Sequence, residues 1–201
     1  TCMRTFAAGA WTEAGRARLK ALLANTLEIP GVKLSSRDRF RVITRLLALG
    51  DPDAAVLLAL QSAADPSDNG RRYAFAAAAA ERDAEVKRAY FERFLSDRDL
   101  AESWVDAALV PFNSPEHVEM TQPFLDIALA ALPELKRTRK IFFVNNWLAA
   151  FVGGQTDAAA LEQIEGFARQ PDLDPDLKLQ LLEAMDGLAR TVKIRARFAR
   201  L

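Results

Sequence analysis

The sequence has very few of the residues that build metal sites, disulfides and nucleophilic centres. Its 201 residues include one cysteine, Cys2, and one histidine, His117. A single cysteine cannot form a disulfide within the chain, and a hydrolytic zinc centre needs about three protein ligands. The H-E-x-x-H, G-x-S-x-G and phosphate-loop patterns do not occur in it. The sequence therefore predicts that this segment has no catalytic residues and binds no metal or cofactor of its own.

An excess of one charge and long apolar runs are also missing. Lys+Arg and Asp+Glu both total 27, so the formal net charge is zero. A neutral chain lacks the usual electrostatic attraction to nucleic acid or to an anionic membrane surface. The longest apolar stretches, such as 73–80, are far shorter than the roughly 20 residues that span a bilayer as a helix. We expect a soluble chain with no membrane span and no nucleic-acid partner.

Apolar residues recur at helical spacing along nearly the whole chain, and capping signals mark where helices begin and end. Ser35 and Ser36 are suitable N-caps for one helix, and Gly50 is suited to end it. Asp51 and Asp174 each precede a proline, as at a helix start. The resulting helices are expected at 36–49, 51–64, 71–80, 82–95, 98–110, 115–132, 134–152 and 156–169 and from 175 to near the end of the chain. Strict apolar/polar alternation, which would indicate strands, does not compete with this pattern.

These helices predict an all-α fold. Short loops between helices of 11–17 residues favour antiparallel neighbours, and successive pairs occupy the 30–45 residues of HEAT- and armadillo-type units. We expect an irregular α–α superhelix, or solenoid, of about ten short antiparallel helices without a significant sheet, with residues 1–201 forming one domain. Such a domain should present a concavity lined by polar helix faces and a separate apolar patch.

Most single residues are interpreted as structural. His117 next to Glu116 could be an acid or base, but we expect a surface residue in the first turn of a helix. In 82–95 the apolar stripe is Val86, Tyr90 and Phe94, and the charged residues Lys87, Arg88, Glu92 and Arg93 are expected largely outside it. Twelve of the aromatic residues are expected in the core because they mostly occur at helical spacings. They are Phe40, Tyr73, Phe75, Tyr90, Phe91, Phe94, Trp104, Phe112, Phe142, Phe143, Trp147 and Phe151.

Arg195 is the candidate site residue of the last helix. A helical wheel places Arg190, Lys193, Arg197 and Arg200 in one sector and Arg195 opposite, between Leu188 and Phe198. A buried guanidinium needs a partner. We expect an ion pair or carbonyl contacts between helices, with a role facing a peptide-binding chamber as the alternative.

From about residue 81 onward the chain resembles the C-terminal helical domain of zinc aminopeptidases of the aminopeptidase N family, often called the endoplasmic-reticulum-aminopeptidase-like C-terminal domain. Residues 1–80 share only its helical character. The resemblance is carried by Val86-Lys87-Arg88 through Phe94-Leu95, by Trp104, Phe112-Asn113, Lys140-Ile141-Phe142-Phe143 and Trp147-Leu148, and most strongly by Asp174-Pro175-Asp176-Leu177 and the stretch from Leu188 to Phe198.

The resemblance implies a role without implying catalytic residues here. In that family a separate catalytic domain contains the zinc, its H-E-x-x-H ligands and the G-A-M-E-N substrate motif. The C-terminal helices cover that domain and restrict the access of peptides to its chamber. The implied partners are the catalytic domain of the same parent chain and peptide substrates in the shared chamber. The implied origin is bacterial, and export with the parent enzyme stays open.

Two other classes of function are compatible with the residues. The first is a free-standing HEAT-like scaffold that binds a protein partner in its concave groove. The second is an unrecognised helical enzyme, which needs a buried acid/base pair. An H-E-x-x-H motif encoded upstream in frame would distinguish the aminopeptidase domain from the scaffold.

Overall fold

The computed structural model describes residues 2–198, and all regular structure in this range is helical. The α-helices are α1 (Cys2–Ala8), α2 (Glu13–Leu23), α3 (Ser36–Ala48), α4 (Ala54–Ala64), α5 (Asp68–Ala78), α6 (Ala84–Ser96), α7 (Glu102–Phe112), α8 (Val118–Thr121), α9 (Leu125–Ala130), α10 (Leu132–Thr138), α11 (Ile141–Phe151), α12 (Ala158–Ala168) and α13 (Pro175–Phe198). Two 3₁₀ turns, Pro115–His117 and Gln122–Phe124, flank α8. No strand occurs within residues 2–198, and the all-α prediction is confirmed.

Short-range hydrogen bonds fix the helix starts. The Ser35 hydroxyl accepts the Asp38 amide at 3.1 Å and begins α3, which ends before Gly50 at a φ of +66°. Asp174 accepts the amides of Asp176 and Leu177 and begins α13, as predicted. At Asp51 the expected helix starts late, at Ala54, because the Asp51 carboxylate accepts the Asp53 amide in a turn.

Two of the expected long helices are divided. The segment 115–132 contains two 3₁₀ turns and two short α-helices, since Pro123 has no amide hydrogen to continue a helix. The segment 134–152 is interrupted at Arg139, which is extended with φ −117° and ψ 164°. The described chain therefore has more and shorter helices than the sequence predicts.

Six of the helices pack side by side in one row. α3 contacts α5, α5 contacts α7, and α7 contacts α11. α1 continues this row beyond α3, and α13 continues it beyond α11. α2 and α4 pack on α3, α6 on α7, α10 on α11, and α12 on α13. This arrangement is the solenoid-like stacking that the sequence predicts.

The core consists of two hydrophobic clusters that meet at α5. One cluster packs α1–α4 around Phe40, Ile43 and Leu46. The other packs α6–α13 around Phe91, whose ring lies 4.7 Å from Phe124 and 5.7 Å from Phe151, centroid to centroid. Alternate alanines in and just after α5 belong to different clusters, Ala76 and Ala79 to the larger and Ala77 and Ala80 to the smaller.

Burial corrects three predictions about single residues. Eleven of the twelve aromatic side chains expected in the core are buried or half-buried, but Phe142 is 75% exposed on α11. Lys87 is fully buried and not in solvent. His117 is fully buried and not at the surface.

Among residues 2–198, no helix is both long and apolar enough to cross a membrane.

Candidate binding groove

A groove of about 540 Å³ crosses the row formed by α1, α3, α5, α7 and α11. Small side chains, mostly alanines, line its floor. One wall is basic and comes from α1 and α3, and the opposite wall is apolar and comes from α7, α11 and the residues that follow them. The basic wall consists of Arg4, Arg37, Arg41 and Arg45, and the apolar wall includes Val110, Pro111, Ala149 and Gly153.

The basic wall has more cations than anions. Asp38 accepts from Arg4 Nε at 3.0 Å and lies 3.4 Å from Arg41 Nη1, so one carboxylate serves two arginines. A hydrogen bond from the Ser35 hydroxyl and the nearby Arg4 guanidinium lower the pKa of Asp38 below its ordinary value, against the effect of burial. Arg37 is exposed and has no ion pair within the described part of the chain. The wall therefore presents a net positive charge to the groove.

The apolar wall is shaped by close backbone packing. A Cβ at Gly154 would lie 2.7 Å from the carbonyl oxygen of Asn113, so only glycine lets the end of α11 come this close to the end of α7. Val110 is 69% exposed on this wall, and Ala149 is exposed beside it. A ligand in the groove therefore meets guanidinium groups on one side and methyl groups on the other.

A buried ion pair joins the two walls. Arg45 Nη1 donates to Glu116 Oε1, the Ser114 hydroxyl donates to Glu116 Oε2, and the Arg45 guanidinium lies 4.4 Å from the centre of the Trp11 ring. Burial favours a higher pKa for Glu116, but the hydrogen bonds from Ser114 and Arg45 outweigh it and the net shift is downward. Arg45 Nε and Nη2 are buried without an acceptor, so part of the hydrogen-bonding capacity of the guanidinium is unused.

Lys87 lies behind the groove at the C-terminal ends of two helices. Its Nζ donates to the carbonyl oxygen of Ala79 at 2.5 Å and to that of Phe112 at 2.9 Å. Burial lowers the pKa of Lys87 to about 7, opposed weakly by the charge of Glu81. A neutral amine has two N–H donors, which match the two carbonyl acceptors. Lys87 therefore connects the end of α5 to the end of α7.

His117 does not form an acid/base pair with Glu116. Its two ring nitrogens are buried without a hydrogen-bond partner, and the Glu116 carboxylate is engaged by Arg45 and Ser114. Burial, together with the charge of Lys87, lowers the pKa of His117 to about 4. Neither His117 nor Lys87 lines the groove. The imidazole is therefore neutral near pH 7 and contributes to packing.

Arg195 lies away from the groove and away from the core. It is exposed and has no ion pair within residues 2–198, so the structure does not place it on the packing face that the helical wheel assigns to it. The last fully buried residue of α13 is Leu188, and Ile194 and Phe198 are also exposed. The physical reason is that α13 extends beyond its neighbours there, so no side of the helix is a packing face. Arg200, which shared the predicted basic sector, lies outside the described residues.

The groove is not predicted from the sequence, although one sequence pattern indicates its basic wall. Arg37, Arg41 and Arg45 are spaced four residues apart, which places them on one side of a helix. No comparable signal connects Arg45 with Glu116, because the two residues are 71 positions apart in the chain.

Neither a metal-binding group nor a match to a known protein adds to this description of the groove. Within the described residues, no three His, Cys, Asp or Glu side chains form a group that could hold a metal ion. No protein-family model matches the chain, and no curated protein matches it. The expected zinc belongs to a separate catalytic domain and stays a prediction.

Proposed function

We propose that this chain is a non-catalytic helical domain of a zinc aminopeptidase that covers the catalytic domain and restricts the access of peptides to the active-site chamber. The resemblance of residues from about 81 onward is the reason for naming this class of enzyme. The observation that carries the proposal is the groove across the helix row, because it is a concave surface with room for a peptide chain. The zinc and the catalytic residues belong to the parent enzyme in this proposal.

The first test reads the coding sequence of the natural protein. The proposal expects an H-E-x-x-H motif upstream of this segment in the same reading frame. A natural reading frame that lacks the motif contradicts it.

A second test uses the parent enzyme and narrows the groove. Val110→Trp adds a large side chain to the apolar wall, so we expect a several-fold fall in kcat/KM for long peptides while an aminoacyl-arylamide is cleaved as before. Val56→Trp on α4 is the matched control, because Val56 is 62% exposed and does not line the groove. An equal effect of Val110→Trp on long and short substrates would contradict a role in peptide access.

A free-standing scaffold for a protein partner is the second candidate, and the basic wall of the groove favours it as well. This candidate expects the natural protein to lack a catalytic domain and to bind a partner protein that has an acidic surface. The reading-frame test separates the two candidates.

A further inference from the structure

We propose that the groove binds an extended peptide segment that carries an acidic side chain, whose carboxylate pairs with Arg37 and Arg41. The proposal rests on the proposed function, because it names the kind of peptide that the same groove would hold. It adds a charge preference that the resemblance does not supply.

The first argument is the unbalanced charge of the basic wall. Four arginines line the groove, and their carboxylate partners are Asp38, shared between Arg4 and Arg41, and Glu116, which serves Arg45. Arg37 is exposed and has no partner in the described chain. Arg37 and Arg41 are one helical turn apart on the same side of α3, so a single carboxylate can lie between them. Arginine offers paired N–H donors that suit a carboxylate.

The second argument is the contrast between the two walls. Val110 and Ala149 expose methyl groups opposite the arginines. A small anion would leave this wall uncovered, whereas a peptide can place an apolar side chain there and a carboxylate on α3. The volume of about 540 Å³ lies within the usual range of ligand clefts, roughly 300–1,000 Å³. The occupant is therefore a short stretch of chain that is anionic on one side and apolar on the other.

Nucleic acid fits the groove less well. The aromatic rings that line it, Phe40 and Tyr73, pack against each other with centroids 6.0 Å apart, and Phe40 is buried. Tyr73 is half-buried, so the groove presents no fully exposed ring for base stacking, which is a main source of affinity for single strands. The chain as a whole has no net charge. These features favour an acidic peptide.

The test measures peptide binding to the purified chain alone by fluorescence anisotropy. The probe is a labelled leucine–alanine peptide with two glutamates, acetylated and amidated so that only the side chains are charged. We expect weak, salt-sensitive binding with a Kd of about 10–100 µM. Arg37→Glu should weaken it at least about tenfold, and Arg37→Gln less. Arg18→Glu is the matched control, because Arg18 is exposed on α2 outside the groove and the charge change is the same.

The binding of comparison probes gives the results that would overturn the proposal. A glutamine version of the peptide that binds equally well overturns it, as does a lysine version or a single-stranded oligonucleotide that binds more tightly. Tight binding of the glutamine version only when its C-terminus is a free acid would move the recognised carboxylate from the side chain to the chain end, and it overturns the side-chain assignment. Because no catalytic domain takes part, lack of binding overturns this inference and leaves the reading-frame test of the proposed function unaffected.

Discussion

Replacement of the buried Lys87 by methionine should change how the stability of the protein depends on pH. Lys87 is fully buried, and its amine donates to two carbonyl oxygens at helix ends, those of Ala79 and Phe112. Lys87→Met keeps most of the apolar volume but leaves both carbonyls without this donor. It also removes an amine that, near pH 8, is protonated in the unfolded chain and mostly neutral in the folded one.

The magnitude follows from the two pKa values of Lys87. The ordinary pKa is 10.5 and burial lowers it to about 7, so between these values the unfolded chain binds more protons than the folded one. Stability of the wild type therefore rises with pH across this window, with a limiting slope of about 1.4 kcal/mol per pH unit. From pH 7 to about pH 9 the gain from Lys87 alone is about 2 kcal/mol.

Urea unfolding followed by circular dichroism at several pH values measures this effect. Between pH 7 and about pH 9 we expect the free energy of unfolding of the wild type to rise by about 2 kcal/mol relative to that of Lys87→Met, whichever protein is more stable at pH 7. Lys178→Met on the exposed side of α13 is the control and should follow the wild type. Parallel curves for the wild type and Lys87→Met would refute the lowered pKa of Lys87.

The remaining predictions concern His117, Arg45 with Glu116, and Arg195. The pKa of His117 falls from 6.5 to about 4 on folding, so the free energy of unfolding decreases by roughly 3 kcal/mol as the pH falls through this range. His117→Leu should abolish this part of the acid sensitivity, as measured by urea unfolding. Arg45→Met leaves the Glu116 carboxylate buried without its cation and should destabilise the protein by about 3 kcal/mol, whereas adding Glu116→Gln should recover much of the loss in the same assay. Arg195→Met should leave the thermal midpoint unchanged, while Leu188→Ala should lower it clearly, since only Leu188 is buried. A clear drop with Arg195→Met would show that the exposed end of α13 has a packing partner.

The fold was predictable from sequence where the signal is local. The Ser35 cap of α3 and the Asp174 cap of α13 each involve residues three positions apart, so the sequence contains all the information they need. The break at Arg139 is different, because its extended backbone accompanies placement of the guanidinium 5.5 Å from the Phe143 ring. Periodicity alone does not report such a contact.

The candidate groove was less predictable because its main contacts are distant in sequence. The same difficulty applies to Lys87 outside the groove, which a helical wheel places at the surface although its amine reaches a carbonyl 25 residues away. The four-residue spacing of arginines on α3 could be read, but the apolar wall opposite them comes from α7 and α11. Arg195 shows the converse error, since a wheel assigns a packing face even where a helix has no neighbour.

The alanines in and just after α5 have a consequence for how the molecule can come apart. Ala77 and Ala80 belong to the hydrophobic cluster that precedes α5, and Ala76 and Ala79 belong to the one that follows. If the two halves of the chain separated, α5 would lose its hydrophobic contacts on one side, whichever half it stayed with. We therefore expect the chain to unfold in one cooperative step, and fragments divided near residue 80 to complement each other when mixed but not to fold singly.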